Sequence, residues 1–252
     1  MGSAEVYITE YLGVLCVHKV NVSPVEMSFY KQVAPQLEMQ GINIPRLIDT
    51  NGNDLFLEYI PNQLSLSELN KAPETYKQLV LIHNCSLPFI PDRKLHCWTS
   101  EQTQNTLSVL DLPKFAEDLL NHLCKLSSVL FQSNSFISGD TNAGNWGKRN
   151  NGEFVLFDWE RFVQGSPAID LAPLVQGMGN KATYTDVVER YIKHNSITDG
   201  AELYRQLILA KAWIVVEVVN LLVIRNNAMT DKFINWYNDI LPDWCEMILT
   251  LL

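Results

Sequence analysis

The chain has 252 residues, 47% hydrophobic and 19% charged, enough to bury one large core or two lobes around a cleft. Its net charge of −9 and pI near 5.0 argue against a nucleic-acid binder, which would carry a basic face. The five cysteines, Cys16, Cys85, Cys97, Cys124 and Cys245, are scattered without metal-ligand spacing, the pattern of reduced thiols in a cytoplasmic protein.

The first residues lack the basic and apolar regions of a signal peptide. The most apolar stretch, Leu207 to Ile224, is interrupted by Lys211, Glu217 and Asn220. It reads as a buried core helix rather than a membrane span, which needs about 20 predominantly apolar residues.

In chain order, Glu5 to Val22 is rich in Val, Ile and Tyr and predicts a hairpin turning near Gly13. Ser23, Pro24 and Glu26 then mark a helix start, with Met27, Phe29, Tyr30, Val33 and Leu37 as its apolar face. Pro45 to Ile48 and Leu55 to Tyr59 read as strands about the turn Asn51-Gly52-Asn53, and Pro61 closes the region. Helices follow: a cap at Ser65 to Glu68, a helix over Tyr76 to Asn84, and a longer one over Pro113 to Gln132. In the last, Phe115, Leu119, Leu120, Leu123, Leu126 and Leu130 recur at amphipathic spacing. From Asp170 to the end the chain reads as helical. The division is α+β: a strand-rich part over 1–60 and a larger, mostly helical part over 61–252.

A polar, turn-forming segment, Ser138 to Trp146, interrupts the helical half. Beyond it Asn151-Gly152 separates Trp146-Gly147-Lys148 from Phe154 to Asp158, a strong hairpin signal. With Asn151-Gly152 as a two-residue loop, Asn145 faces Asp158, and directly opposed residues lie about 4.5–5.5 Å apart. An amide oxygen and a carboxylate then meet at the open end of the hairpin, with Asp140 in the loop before it. Such oxygens suit a hard cation shared with phosphate.

Asp140, Asn145 five residues on, and the strand ending Phe157-Asp158-Trp159-Glu160 together resemble the active-site segment of the aminoglycoside phosphotransferase and choline kinase family. The likeness continues through Gly165-Ser166-Pro167 and Asp170-Leu171-Ala172. The resemblance implies a bilobal protein-kinase-like fold with a small, shortened N-terminal lobe. It implies transfer of a phosphoryl group from ATP or GTP, with Mg²⁺, to a hydroxyl of a small acceptor such as an aminoglycoside or choline-like compound. It makes Asp140 the acid that directs the attacking hydroxyl, Asn145 and Asp158 the Mg²⁺ ligands, and Asp170 a structural acid behind the loop.

In the first part, Lys19 resembles the strand lysine that holds nucleotide phosphates, and Glu26 resembles the helix acid that holds that lysine. Glu26 equally fits a capping box with Ser23. Leu55 to Pro61 resembles the hinge, with backbone groups around Glu58 and Ile60 meeting adenine, although an edge strand ending at Pro61 fits the same residues. Gly2 to Tyr7 resembles the end of the phosphate-covering loop and the strand after it, without the strand that normally precedes that loop.

Ser138 stands where the family usually has histidine, and His83 matches a helix position whose role is structural. Glu160, Glu189, Glu217 and Asp231 are candidate anions for an aminated acceptor, or solvated charges. Trp213, Trp236, Tyr237 and Trp244 form either a cation-binding wall or core. A non-catalytic nucleotide-binding module of pseudokinase type is the alternative to a small-molecule kinase. A nucleoside triphosphate and a small hydroxyl compound are the expected partners, with no nucleic acid or membrane.

Overall fold

A computed structural model describes residues 5–88 and 95–251. Gly2, Ser3 and Ala4 of the expected phosphate-covering loop lie outside the described residues.

Strands β1 (Glu5–Tyr11) and β2 (Val14–Val20) form the expected hairpin, turning through Leu12 and Gly13, both with positive φ. That pair of left-handed residues is what a two-residue hairpin turn demands. Helix α1 (Pro24–Ser28) starts under the Ser23 cap, widens into a π-helical turn over Phe29–Val33, and continues as α2 (Ala34–Glu38). Pro35 lies just past the wide turn and has no N–H to carry the ladder on, and Ala34 N–H reaches back five residues to Phe29. Strands β3 (Leu47–Asn51) and β4 (Asp54–Glu58) complete a four-stranded antiparallel sheet of order β1-β2-β4-β3.

The rest is mostly helical. The short β5 (Asn62–Gln63) leads into α3 (Leu66–Lys71), opened by a complete capping box of Ser65 and Glu68, and α4 (Pro73–His83). Then come α5 (Ser100–Leu107), α6 (Lys114–Leu126) and α7 (Ser128–Phe131). The single helix expected over 113–132 is broken at Ser127, whose hydroxyl and N–H both turn onto the Cys124 carbonyl. Strand β6 (Phe136–Ile137) pairs with the later β9 (Val163–Gln164). Between them β7 (Trp146–Lys148) and β8 (Phe154–Leu156) make the second hairpin, and β7 also pairs with β5. Helices α8 (Pro167–Leu171), α9 (Lys181–Ile192), α10 (Gly200–Ile224) and α11 (Thr230–Leu249) follow.

Helix α10 is the axis of the helical part and packs against α5, α6, α7, α8, α9 and α11. Among the described residues it alone is long and apolar enough to span a membrane, yet 56% of its most apolar stretch is buried inside the protein. Its first turns are covered by these neighbours, as in a core helix, while Val223 and Ile224 in its last turn are exposed. Trp213, Tyr237 and Trp244 belong to that core, while Trp236 is exposed. Trp244 is a packing residue, whereas Trp213 and Tyr237, though buried, also border a cavity.

Candidate active site

Alternate residues of the four-stranded sheet put Val6, Ile8, Val17, Lys19 and Leu57 on one face, as the two-residue period of strands requires. This face roofs a cavity of about 360 Å³, closed from below by Tyr30, Asn145, Phe157 and Asp158 and along its edge by Glu58, Tyr59 and Ile60. Five of the residues singled out in the sequence, Lys19, Glu58, Ile60, Asn145 and Asp158, thus line one space, although they are up to 139 positions apart.

Lys19 Nζ donates to Glu26 and, at 2.9 Å, to Asp158. Burial works against the ammonium, but the two carboxylates outweigh it and raise its pKa. Burial also raises the pKa of Glu26, against the pull of Lys19. Glu26 is 1% exposed, and its carboxylate holds the lysine instead of closing a capping box; only its N–H meets the Ser23 hydroxyl. Of the two sequence readings, the ion pair is the one the structure contains.

The loop 138–145 is held from behind. Asp170 is fully buried and accepts from the N–H groups of Ser138 and Gly139, both at 2.8 Å. His83 Nε2 lies 3.2 Å from the same carboxylate, and its Nδ1 lies 2.8 Å from the Tyr191 hydroxyl. Thr141 adds a bond to the Asp170 carbonyl. Ser138 contributes its backbone here, while its hydroxyl is buried without a partner among the described residues. Gly139 takes φ +80, and a Cβ there would sit 2.7 Å from the Arg161 carbonyl oxygen. Gly139→Ala is therefore expected to destabilise the protein by about 1–3 kcal/mol, read as a lower melting temperature in calorimetry.

The second hairpin is shifted by one residue from the expected register. Its loop has three residues, Asn150 to Gly152, with Gly152 at φ +92. Arg149 consequently pairs with Glu153, and Asn145 faces Phe157. This is the glycine-bulge hairpin, in which the left-handed residue belongs to the loop's third position. Asp158 reaches the site by another route: its own backbone turns to φ +67, which brings its carboxylate to Lys19.

The oxygen donors fit a hard cation. Asn145 Nδ2 donates to the Asp140 carbonyl at 2.9 Å, which leaves its Oδ1 without a partner among the described residues. Carboxylate oxygens of Asp158, Glu26 and Glu160 lie within 4.8 Å of one another. An all-oxygen set of this kind is the donor chemistry of Mg²⁺.

Asp140 faces a second cavity, of about 430 Å³, bounded by the loop, α8, α10 and α11. Its Oδ1 accepts from Asn142 Nδ2 at 2.6 Å. Across this cavity Arg161 Nη2 donates to both oxygens of Glu217, at 2.7 and 2.9 Å. Glu217, one of the candidate anions, is thus paired with Arg161. Glu160 belongs to the other, oxygen-rich cluster, and Glu189 and Asp231 do not line this cavity.

Lys211 also borders it, buried, its Nζ donating to the carbonyls of Ala172 and Val175. Burial pulls its pKa down from 10.5 to about 8. The folded state therefore releases this proton at lower pH than the unfolded chain does. Between pH 8 and 10.5 the unfolded chain binds more protons, so stability must rise with pH there. Urea melts of wild type across that window are expected to gain on the order of 3 kcal/mol relative to Lys211→Met.

Two ion pairs had no sequence signal. Arg149 binds Glu58 through Nε at 2.9 Å and Nη2 at 2.7 Å, tying the second hairpin to the edge of the first cavity. Glu58 N–H is bonded to the Arg46 carbonyl, and Glu58 and Ile60 both line the cavity edge. The Arg149–Glu58 and Arg161–Glu217 pairs span 91 and 56 positions, and no local pattern joins them.

No family model matches the sequence, and no curated protein matches it by sequence. Solved structures do match the fold. A spectinomycin phosphotransferase in complex with ADP and spectinomycin superposes with a TM-score of 0.67 at 14% identity, over 98% of this chain and 90% of that one. The choline kinase LicA from Streptococcus pneumoniae gives 0.64 at 15% identity, over 96% and 89%. A choline/ethanolamine kinase family protein from Mesorhizobium loti gives 0.63 at 14% identity, over 98% and 88%. The chain thus has, over nearly its whole length, the protein-kinase-like fold shared by these phosphotransferases.

Proposed function

We propose that this protein is a small-molecule kinase that transfers the γ-phosphoryl group of ATP or GTP to a hydroxyl of a small acceptor. One observation carries the reading: Asp140 lines one cavity, Asn145 and Asp158 line the other, and Asn145 hydrogen-bonds the Asp140 carbonyl. A donor in the first cavity and an acceptor in the second would therefore meet at a single loop. The sharing of this fold with structures that hold ADP, AMP, gentamicin or spectinomycin supports both assignments.

In this reading the part over 1–60 holds the nucleotide and the part over 61–252 holds the acceptor. The base lies along the apolar sheet face against Ile60 and Tyr59, and Lys19, held by Glu26, steadies the phosphates. Asn145 and Asp158 would hold a Mg²⁺ ion, whose chemistry there would be to neutralise phosphate charge. Asp140 accepts the acceptor's hydroxyl proton as that oxygen bonds to the γ-phosphorus. The bond from phosphorus to the bridging oxygen breaks, and the nucleoside diphosphate departs. Asp170 keeps Asp140 in place by holding the backbone just before it.

Lys19→Met is expected to weaken binding of a fluorescent ATP analogue with Mg²⁺ by about tenfold or more, the scale of one lost charge-assisted contact. Equal affinity in the variant, with the fold intact by circular dichroism, would remove the nucleotide from this cavity.

A further inference from the structure

The second cavity has a shape and charge balance that specify its occupant more closely than a hydroxyl requirement alone. Ile214, Val218, Leu221, Leu222 and Arg225 recur at spacings of four, three, one and three along α10 and its C-cap, and line a single helical face of the cavity. Phe233 of α11 lies in the same lining. The space is therefore a mostly apolar trough running along the helix. With 1.5 Å of rise per residue, Ile214 and Arg225 stand about 17 Å apart along its axis.

The catalytic loop sits at the Ile214 end. A Cβ on Gly139 would lie 2.7 Å from His96 Nε2, and the His96 ring packs edge-on against Trp213, 5.4 Å between centroids. Arg225 therefore marks the far end.

The charges are sorted as well. Glu217 is neutralised by the two-oxygen contact with Arg161. Taking it for a cationic ligand would strand a guanidinium that is only 19% exposed. Lys211 is cationic at pH 7 and holds two carbonyls. Arg225, at the solvent-exposed rim of the lining, has no ion-pair or hydrogen-bond partner for its guanidinium among the described residues. Apart from Asp140, which the hydroxyl requires, the lining offers no free carboxylate, and its unpaired charge is positive. That balance opposes an aminated acceptor and favours an acid.

We propose that this cavity takes an elongated, largely apolar hydroxy acid, with its hydroxyl at Asp140 and its acid group at Arg225. The inference rests on the kinase reading for the role of Asp140, but the binding preference can be measured without turnover.

The test uses three twelve-carbon probes below their micellar concentrations at pH 7: 12-hydroxydodecanoate, 1,12-dodecanediol and 12-amino-1-dodecanol. Calorimetric titration of the full chain should rank them acid, diol, amine, with the acid at least about tenfold tighter than the amine. Arg225→Glu should reverse the order of acid and amine. An amine or gentamicin binding as tightly as the acid would overturn the proposal. So would an acid affinity unchanged in Arg225→Glu, or no binding of any probe. Titrating MgATP into the same samples separates the two claims. Acid binding without nucleotide binding leaves the cavity assignment standing and removes the kinase, whereas nucleotide binding with preference for the amine does the reverse.

Discussion

Replacing Asp140 with asparagine is expected to lower phosphoryl transfer by about 10²–10⁴-fold while leaving nucleotide affinity within twofold of wild type. The separation follows from how the residue is used. Its side chain faces the second cavity, whereas the nucleotide side depends on it through the backbone carbonyl that accepts from Asn145. Asparagine keeps that carbonyl and still offers an oxygen to Asn142, but it cannot take the hydroxyl proton. Rates of nucleoside diphosphate release with acceptor present, and nucleotide titrations of the same variant, check both halves. A variant that kept its rate would show that Asp140 is not the base, and one that lost nucleotide would show that the loop had collapsed.

Asp170→Ala should have the largest effect on stability, about 3–5 kcal/mol. The carboxylate is fully buried and is the acceptor for two loop N–H groups, with His83 beside it. Alanine removes all three contacts at once and strands two donors away from water, which costs more than the bonds were worth. For a chain of this length such a loss corresponds to a melting temperature lower by roughly 10 °C. Asp170→Asn keeps one acceptor oxygen and should fall between. A drop of less than about 1 kcal/mol for alanine would mean that the loop is held elsewhere.

Local chemistry made much of this legible in the sequence. The Leu12-Gly13 turn, the Ser65 capping box and the amphipathic start of α6 are each written in adjacent residues, and each is present. The hairpin at Asn151-Gly152 was legible but its register was not. Two- and three-residue loops share the same Asn-Gly signal, and only the backbone at Gly152 distinguishes them. Glu26 shows a similar degeneracy, since an acid three residues after a serine cap reads the same whether it caps or reaches a lysine. The break at Ser127 was hidden because a serine in a leucine-rich run leaves the hydrophobic period intact.

What the sequence did not disclose is long-range pairing of charge. Glu217 stood out as an acid in an apolar helix, but nothing near it named Arg161, and that pair leaves Asp140 as the one unpaired carboxylate among the described residues lining the second cavity. The same holds for the Glu58 side chain, whose pairing with Arg149 no local pattern announced. The residues singled out in the sequence were legible because they sit in three local segments, over 19–26, 58–60 and 140–170. The residues that tune the site were not found, because they are assembled from distant parts of the chain.

The central claim is that the cavity under the small sheet binds a metal–nucleotide complex. Calorimetric titration of ATP and GTP with and without Mg²⁺, on wild type and Asp158→Ala, tests it directly. Saturable, one-to-one binding that requires Mg²⁺ in the wild type and is lost in the variant is the predicted result. Absence of binding by folded wild-type protein, or binding that ignores both Mg²⁺ and Asp158, would contradict it.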